Sequence, residues 1–122
     1  MDTTERRPAV AGTFYAGEAE ALQREVRDLL DRIAATDGPA PKAVIAPHAG
    51  FRFSGAVAAH AYARLAPARD TIRRVVLLGP SHHVPLRGLA ATGATRFLTP
   101  LGAVPVDREG VATALDQPGV HT

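Results

Sequence analysis

Two short turns that carry histidine are the parts of this sequence best suited to chemistry. Each follows an apolar run: the first is Pro47-His48-Ala49-Gly50, and the second is Gly79-Pro80-Ser81-His82-His83. Imidazole is the commonest metal-ligating side chain, and open α/β sheets bind their ligands beyond the carboxyl ends of the strands. If both apolar runs are parallel strands, His48 and either His82 or His83 converge on one ion, although 34 or 35 positions separate them in the chain.

Two such turns at the ends of adjacent predicted strands favour a shared site over incidental loop histidines. The proline and glycine residues around each histidine are unlike the surroundings of a core histidine. Side chains of neighbouring residues in an extended backbone point to opposite faces, so only one of His82 and His83 is a natural ligand. We expect the ligating nitrogens to lie about 3–4 Å apart, because metal–nitrogen distances are ~2.1 Å. His60 is interpreted as a group that packs in the core or supports the ligands, and His121 is given no role.

Two imidazoles do not complete a catalytic site. Zinc hydrolases normally have three protein ligands, and non-haem iron oxygenases use two histidines and a carboxylate. The chain has no His-Glu-x-x-His helix, no Gly-x-Ser-x-Gly elbow and no Walker loop. Asp107 is the one carboxylate that follows a late strand, and nothing in the sequence links it to the histidine turns.

Composition restricts the class of protein. A chain of 122 residues that is 46% apolar is one domain by length and can bury a core. Its net charge of +2 comes without a basic cluster, so nothing indicates nucleic-acid binding. The sequence has no cysteine, no secretory signal and no apolar stretch of membrane-spanning length. We therefore expect a cytoplasmic protein that binds neither nucleic acid nor membranes.

The elements that must position the histidines follow from hydrophobic periodicity. An apolar stripe predicts a helix over residues 18–35. The non-alternating run over 42–46 predicts a strand buried on both faces. A small-residue helix over 54–66, with Ser54 as N-cap, and a second such strand over 74–78 complete a βαβ unit. The pattern indicates an α/β fold in which both histidine turns leave the same end of the sheet.

The chain after the second histidine turn predicts shorter elements. They are a strand over 89–92, a hairpin with strands over 96–99 and 103–106, and a helix over 111–115 that begins behind Asp107. Residues 117–122 are predicted to form an irregular tail.

The residues around the histidine turns resemble the Memo family, whose prokaryotic members are called AmmeMemoRadiSam system protein B. The matching stretches are Arg7–Tyr15, Ala46–Gly55, Ala58–Tyr62, Leu78–Val84 and Phe97–Gly102. The resemblance implies a three-layer α/β fold like that of the LigB-like class III extradiol dioxygenases. In those enzymes a non-haem metal lies at the carboxyl end of the sheet.

The resemblance also implies roles for single residues. His48 and His82 would be ligands of an iron or copper ion. Phe14 and Phe53 would lie near the mouth of the pocket, with His83 and His60 close to the site. Phe53 occupies a position where the family often has tyrosine, so a hydroxyl donor is absent there.

Family members are more than twice as long as this chain, and their third metal ligand, a cysteine in the Memo branch, comes from the portion without a counterpart here. We therefore expect residues 1–122 to be the N-terminal part of one Memo-like domain, inactive alone. The resemblance implies a metal-dependent redox protein. The alternative is a non-catalytic adaptor that recognises a phosphorylated peptide, or a partner of radical-SAM and AMMECR-type proteins. The sequence identifies neither a substrate nor an oligomeric state.

Overall fold

The computed structural model describes residues 4–35 and 37–122, which form two compact units. The helical unit comprises Ala9–Arg73. The sheet unit comprises the described residues up to Pro8 together with Arg74–Thr122. Helices and small sheets together confirm the predicted mixed α/β class. The predicted three-layer arrangement is not confirmed.

The first helix of the helical unit, α1, spans Ala19–Asp31. The predicted apolar stripe lies along its inner face: Leu22 is buried, and Val26 and Leu29 are half-buried. The helix ends earlier than predicted: Arg32 is its C-cap, and the Ile33 N–H donates to the Leu30 carbonyl oxygen at 3.0 Å, in a tighter turn that ends the α-helical bonding. Packing of the apolar face, more than propensity, sustains helices of this length.

The second helical segment begins earlier than predicted. A π-helical turn over Phe51–Gly55 leads directly into α2, which spans Ala56–Ala63, and a short 3₁₀ turn over Ala66–Ala68 follows. Gly55 and Ala59 are buried where α2 packs on α1, as expected for small residues that allow close approach. Ser54 is not an N-cap, because helical backbone already precedes it.

The larger sheet of the sheet unit has the order β1-β3-β4. Strand β1 (Glu5–Arg6) pairs in parallel with β3 (Arg96–Thr99), which pairs antiparallel with β4 (Gly102–Pro105). The predicted hairpin is confirmed, with β4 displaced by one residue. The Thr99 hydroxyl donates to the Gly102 carbonyl oxygen at 2.8 Å and so closes the turn.

A second sheet consists of two parallel strands, β2 (Leu89–Ala90) and β5 (Val120–His121). The prediction of an irregular tail is therefore wrong at its end. The Leu89 N–H donates to the Gly119 carbonyl oxygen at 2.8 Å, and these two residues are thirty positions apart in the chain. The sequence near either strand contains no local pattern that predicts this pairing.

The short helix α3 spans Arg108–Leu115, so the predicted helix is present but begins three residues earlier than expected. Asp107 is its N-cap: the carboxylate accepts a hydrogen bond from the Gly110 N–H at 3.0 Å. The same carboxylate forms an ion pair with Arg74. Asp107 therefore has a structural role, which agrees with its lack of any link to the histidine turns in the sequence.

The two predicted parallel strands are not formed. Neither 42–46 nor 74–78 belongs to a strand, so the described residues contain no βαβ unit. Ile45 is 99% exposed, and Val75–Leu78 are 73–83% exposed. The physical reason is that a strand requires a neighbouring backbone to complete its hydrogen-bond ladder. Within the described residues no strand pairs with either run.

None of the described helices is long and apolar enough to cross a membrane.

Candidate functional site

The first histidine turn lies in the helical unit, immediately before the π-helical turn. His48 is solvent-exposed, whereas Gly50, two residues later, is buried. The Gly50 carbonyl oxygen accepts hydrogen bonds from the N–H groups of Phe53 at 2.8 Å and Ser54 at 3.1 Å. The chain therefore passes directly from the histidine into helical backbone, with the imidazole on the solvent side.

A short N-terminal arm, residues 9–17, contacts this turn. The arm is folded by hydrogen bonds from the Gly12 N–H to the Tyr15 carbonyl oxygen, at 2.8 Å, and from the Phe14 N–H to the Val10 carbonyl oxygen, at 2.9 Å. The Phe14 carbonyl oxygen then accepts the N–H of Phe51 at 2.7 Å. This bond joins the arm to the residue that follows the histidine turn.

The approach of the arm to the turn is close. A Cβ atom on Gly50 would lie 3.4 Å from both the Cα and the carbonyl oxygen of Phe14. The rings of Tyr15 and Phe51 pack in a tilted arrangement with centroids 5.8 Å apart. The aromatic residues of the arm thus contribute to holding the turn.

Between the arm and α1 lies an open concavity of about 510 Å³. Phe14 lines it, and its charged residues include Arg24, Asp28 and Arg52. Glu25, also on this wall, accepts the Ala16 N–H at 3.0 Å and so anchors the arm to α1. His48 is not among the lining residues, so this concavity and the histidine turn are separate features.

The second histidine turn lies in the sheet unit, between the exposed run Val75–Leu78 and β2. The Ser81 hydroxyl donates to the Val84 carbonyl oxygen at 2.5 Å, which closes the loop around His82 and His83. Both histidines are exposed and line a shallow hollow of about 200 Å³.

The remaining predicted site residues lie in the helical unit. Phe53 is 81% exposed in the π-helical turn, where the guanidinium of Arg52 lies 5.9 Å from its ring centroid. His60 is exposed on α2, which contradicts its interpretation as a packing residue, and its alternative role as a support for the ligands stays a prediction. The reason is that its face of α2 points away from α1, while Gly55 and Ala59 occupy the contact.

The two histidines are of a type that binds late first-row metals, but they are too few to complete a metal site. Imidazole suits iron and copper, and His48 and His82 are both exposed. The described residues contain no group of three histidine, cysteine, aspartate or glutamate side chains placed to hold a metal. The two histidines belong to different units, and their convergence on one ion stays a prediction.

Sequence reasoning missed the contacts that hold the first turn. The Ser54 hydroxyl donates to the Ala49 carbonyl oxygen at 3.1 Å, rather than capping a helix. A serine five residues after that carbonyl is the only trace of this bond in the sequence. The Phe14–Phe51 bond is made by backbone atoms and leaves no trace in residue types.

These features define a mixed α/β chain with two exposed histidine turns. The chain belongs to the Memo-like family: the model of the family described as Memo-like protein matches residues 6–119. The matched range contains both histidine turns, the arm and the hairpin.

Relatives from animals and from an archaeon agree with this assignment. The chain is 40% identical to Protein MEMO1 of Danio rerio and 38% identical to that of Homo sapiens, in each case over 104 residues, 85% of this chain and 34% of the relative. It is 43% identical over 123 aligned positions to a MEMO1 family protein of Methanopyrus kandleri, covering 91% of this chain and 41% of the relative. The chain therefore spans about a third of the length of the animal relatives.

Proposed function

We propose that this chain supplies imidazole ligands, from His48 and His82, to a non-haem iron or copper site in a Memo-type protein. The observation that carries the proposal is the presentation of His48, an exposed imidazole in a chain of this family, directly before residues that hydrogen bonds from Ser54 and to Phe14 hold in place. Proteins preorganise metal ligands through such supporting contacts.

The proposed site requires at least one further donor beyond the described residues. Two imidazoles leave most of the coordination positions of the ion to water, whereas metal catalysis needs an open position within a shaped, dry cavity. We therefore propose a redox activity related to that of the extradiol dioxygenases for a protein of the relatives' length, and no turnover for this chain alone. The cytoplasmic location stays a prediction.

Substitution of the proposed ligands tests the metal site. We expect His48→Ala and His82→Ala each to weaken Cu²⁺ or Fe²⁺ binding at least about tenfold, since even supporting groups contribute that much to affinity. His121→Ala is the matched control, because His121 is an exposed histidine without an assigned role, and we expect the affinity to stay unchanged. Calorimetric titration measures the affinity, and equal binding by all three variants would refute the assignment.

The adaptor alternative predicts a different pattern. A protein of the relatives' length that recognises a phosphorylated peptide, or a radical-SAM or AMMECR-type partner, should bind it without metal and should show no oxygen uptake. Metal content and oxygen consumption of that longer protein separate the two hypotheses. Equal metal stoichiometry and equal redox turnover in the 122-residue chain would show that no further donor is needed.

A further inference from the structure

We propose that Ser54 and the backbone N–H of Phe51 are positioning groups for His48, which they hold by clamping its turn from two sides. The proposal rests on the proposed metal function and adds to it the part of the chain that orients the ligand. Neither group would touch the metal. Each acts on the backbone that immediately follows the histidine.

The first clamp comes from the helical side. The Ser54 hydroxyl donates to the Ala49 carbonyl oxygen at 3.1 Å, so the Ala49–Gly50 peptide group is held to the π-helical turn. The Ser54 N–H also donates to the Gly50 carbonyl oxygen, at 3.1 Å. One residue therefore contacts two successive carbonyl groups of the turn.

The second clamp comes from the arm. The Phe51 N–H donates to the Phe14 carbonyl oxygen at 2.7 Å, and Gly50 lies in close contact with the backbone of Phe14. The arm is itself anchored to α1 through Glu25, which accepts the Ala16 N–H. The turn is thus connected through the arm to the longest helix of the unit.

The two clamps matter because His48 is solvent-exposed. Burial of the side chain therefore contributes little to its position. A metal ligand must be held within roughly 0.5 Å of its productive position to contribute fully to affinity. Hydrogen bonds to the residues that follow the histidine provide that restraint.

Two matched pairs of variants remove the clamps one at a time. Ser54→Ala deletes the hydroxyl, and Ser54→Thr retains it. Phe51→Pro deletes the N–H, and Phe51→Ala removes the ring while it retains the N–H. Proline is compatible with this position, because Gly50 has φ −53° and ψ 149°, the conformation preferred before proline, and Phe51 is the first residue of the π-helical turn.

Nuclear magnetic resonance of the full 122-residue chain gives two readouts at His48. Without metal, the heteronuclear ¹⁵N relaxation of the His48 amide reports the order of the turn. With Cu²⁺ alone as the probe, broadening of the His48 and His82 imidazole signals gives an affinity at each histidine. We expect Ser54→Ala and Phe51→Pro to lower the order at His48 and to weaken Cu²⁺ binding there about 2- to 10-fold, the range of one net hydrogen bond. Ser54→Thr should resemble the unsubstituted protein. Phe51→Ala loses the ring contact with Tyr15 but keeps the N–H, so it should lose less order and less affinity than Phe51→Pro.

The outcomes distinguish this proposal from the proposed function. If Ser54→Ala and Phe51→Pro match their partners in both readouts, the positioning role is refuted, even if the melting temperature falls. If Cu²⁺ broadens neither imidazole in any protein, the metal function fails, and the metal-free order at His48 still decides whether the clamps hold the turn.

Discussion

Gly88 shows at the scale of a single residue how the structure restricts the sequence. Its φ is +77°, and a Cβ atom there would lie 2.1 Å from the Gly119 carbonyl oxygen, the acceptor of the first bond between β2 and β5. A left-handed conformation costs a non-glycine residue roughly 1–2 kcal/mol even without a clash. Any side chain at Gly88 must therefore separate the two strands.

We predict that Gly88→Ala lowers the free energy of unfolding by about 2 kcal/mol or more. Gly93→Ala is the matched control, because its added Cβ meets nothing within 4 Å and its φ is not in the left-handed region. Urea denaturation measures the stability, and hydrogen exchange at the Leu89 amide reports the strand pairing. Similar stability of the two variants would contradict the described contact between Gly88 and Gly119.

At the scale of elements, the packing of α2 on α1 depends on a small residue at the contact. A Cβ atom on Gly55 would lie 3.1 Å from both Leu29 Cδ1 and Phe51 Cβ. The leucine side chain can move, but the Phe51 Cβ is fixed to the backbone of the same turn. The space between α1 and the π-helical turn at this point therefore accommodates little more than a glycine.

We predict that Gly55→Val destabilises the helical unit by about 1–3 kcal/mol through overpacking. Ala56→Val introduces the same branched side chain one residue later at an exposed position, and we expect a cost of well under 1 kcal/mol from helix propensity alone. Thermal unfolding of both variants measures the difference. A smaller loss for Gly55→Val than for Ala56→Val would refute close packing at Gly55.

The sequence predicted the elements whose signals are local. The stripe from Leu22 to Leu29 indicated α1, the Pro100-Leu101-Gly102 turn indicated the hairpin, and Asp107 marked the start of α3. Elements that depend on distant partners were missed. β5 forms only because β2 pairs with it, and the apolar runs over 42–46 and 74–78 have the composition of buried strands without a neighbouring strand in the described structure.

The candidate site likewise combines features that local sequence predicted with features that depend on distant contacts. Residue types and their proline and glycine neighbours identified the histidine turns, and the family model extends over both. The hydrogen bonds that hold the first turn were not predictable, since one uses only backbone atoms and the other uses a serine with several plausible roles. The predicted convergence of His48 and His82 depends on long-range packing, which residue types do not encode locally.

At the scale of the whole molecule, little apolar surface is buried. The buried hydrophobic residues of the described structure are Leu22, Ala59 and Ala94, of which only one is large. Folded domains gain stability mainly from burial of apolar area, so two units with so few buried side chains are marginally stable. The chain also spans about a third of the length of its animal relatives.

The exposed run Val75–Leu78 leads to a prediction that distinguishes this chain from a longer one. Four consecutive uncharged, apolar residues, two of them valines with high strand propensity, favour intermolecular strand pairing when they are exposed. We predict that Val76→Lys with Leu78→Lys reduces self-association of the 122-residue chain and its binding of a hydrophobic dye, with an unchanged circular dichroism spectrum.

In a version extended to the relatives' length, we expect the same two substitutions to have the opposite effect. There we predict that the run is covered as a sheet strand, and burial of two unpaired lysines is strongly unfavourable. The control pair, Gln23→Lys with Gln117→Lys, adds the same charge at exposed polar positions and should leave both proteins unchanged in stability. Sedimentation velocity and thermal unfolding measure the two effects. If the lysine pair in the run were tolerated equally in the short and long proteins, the run would be a surface segment in both. The prediction that it forms a sheet strand in the longer protein would then be wrong.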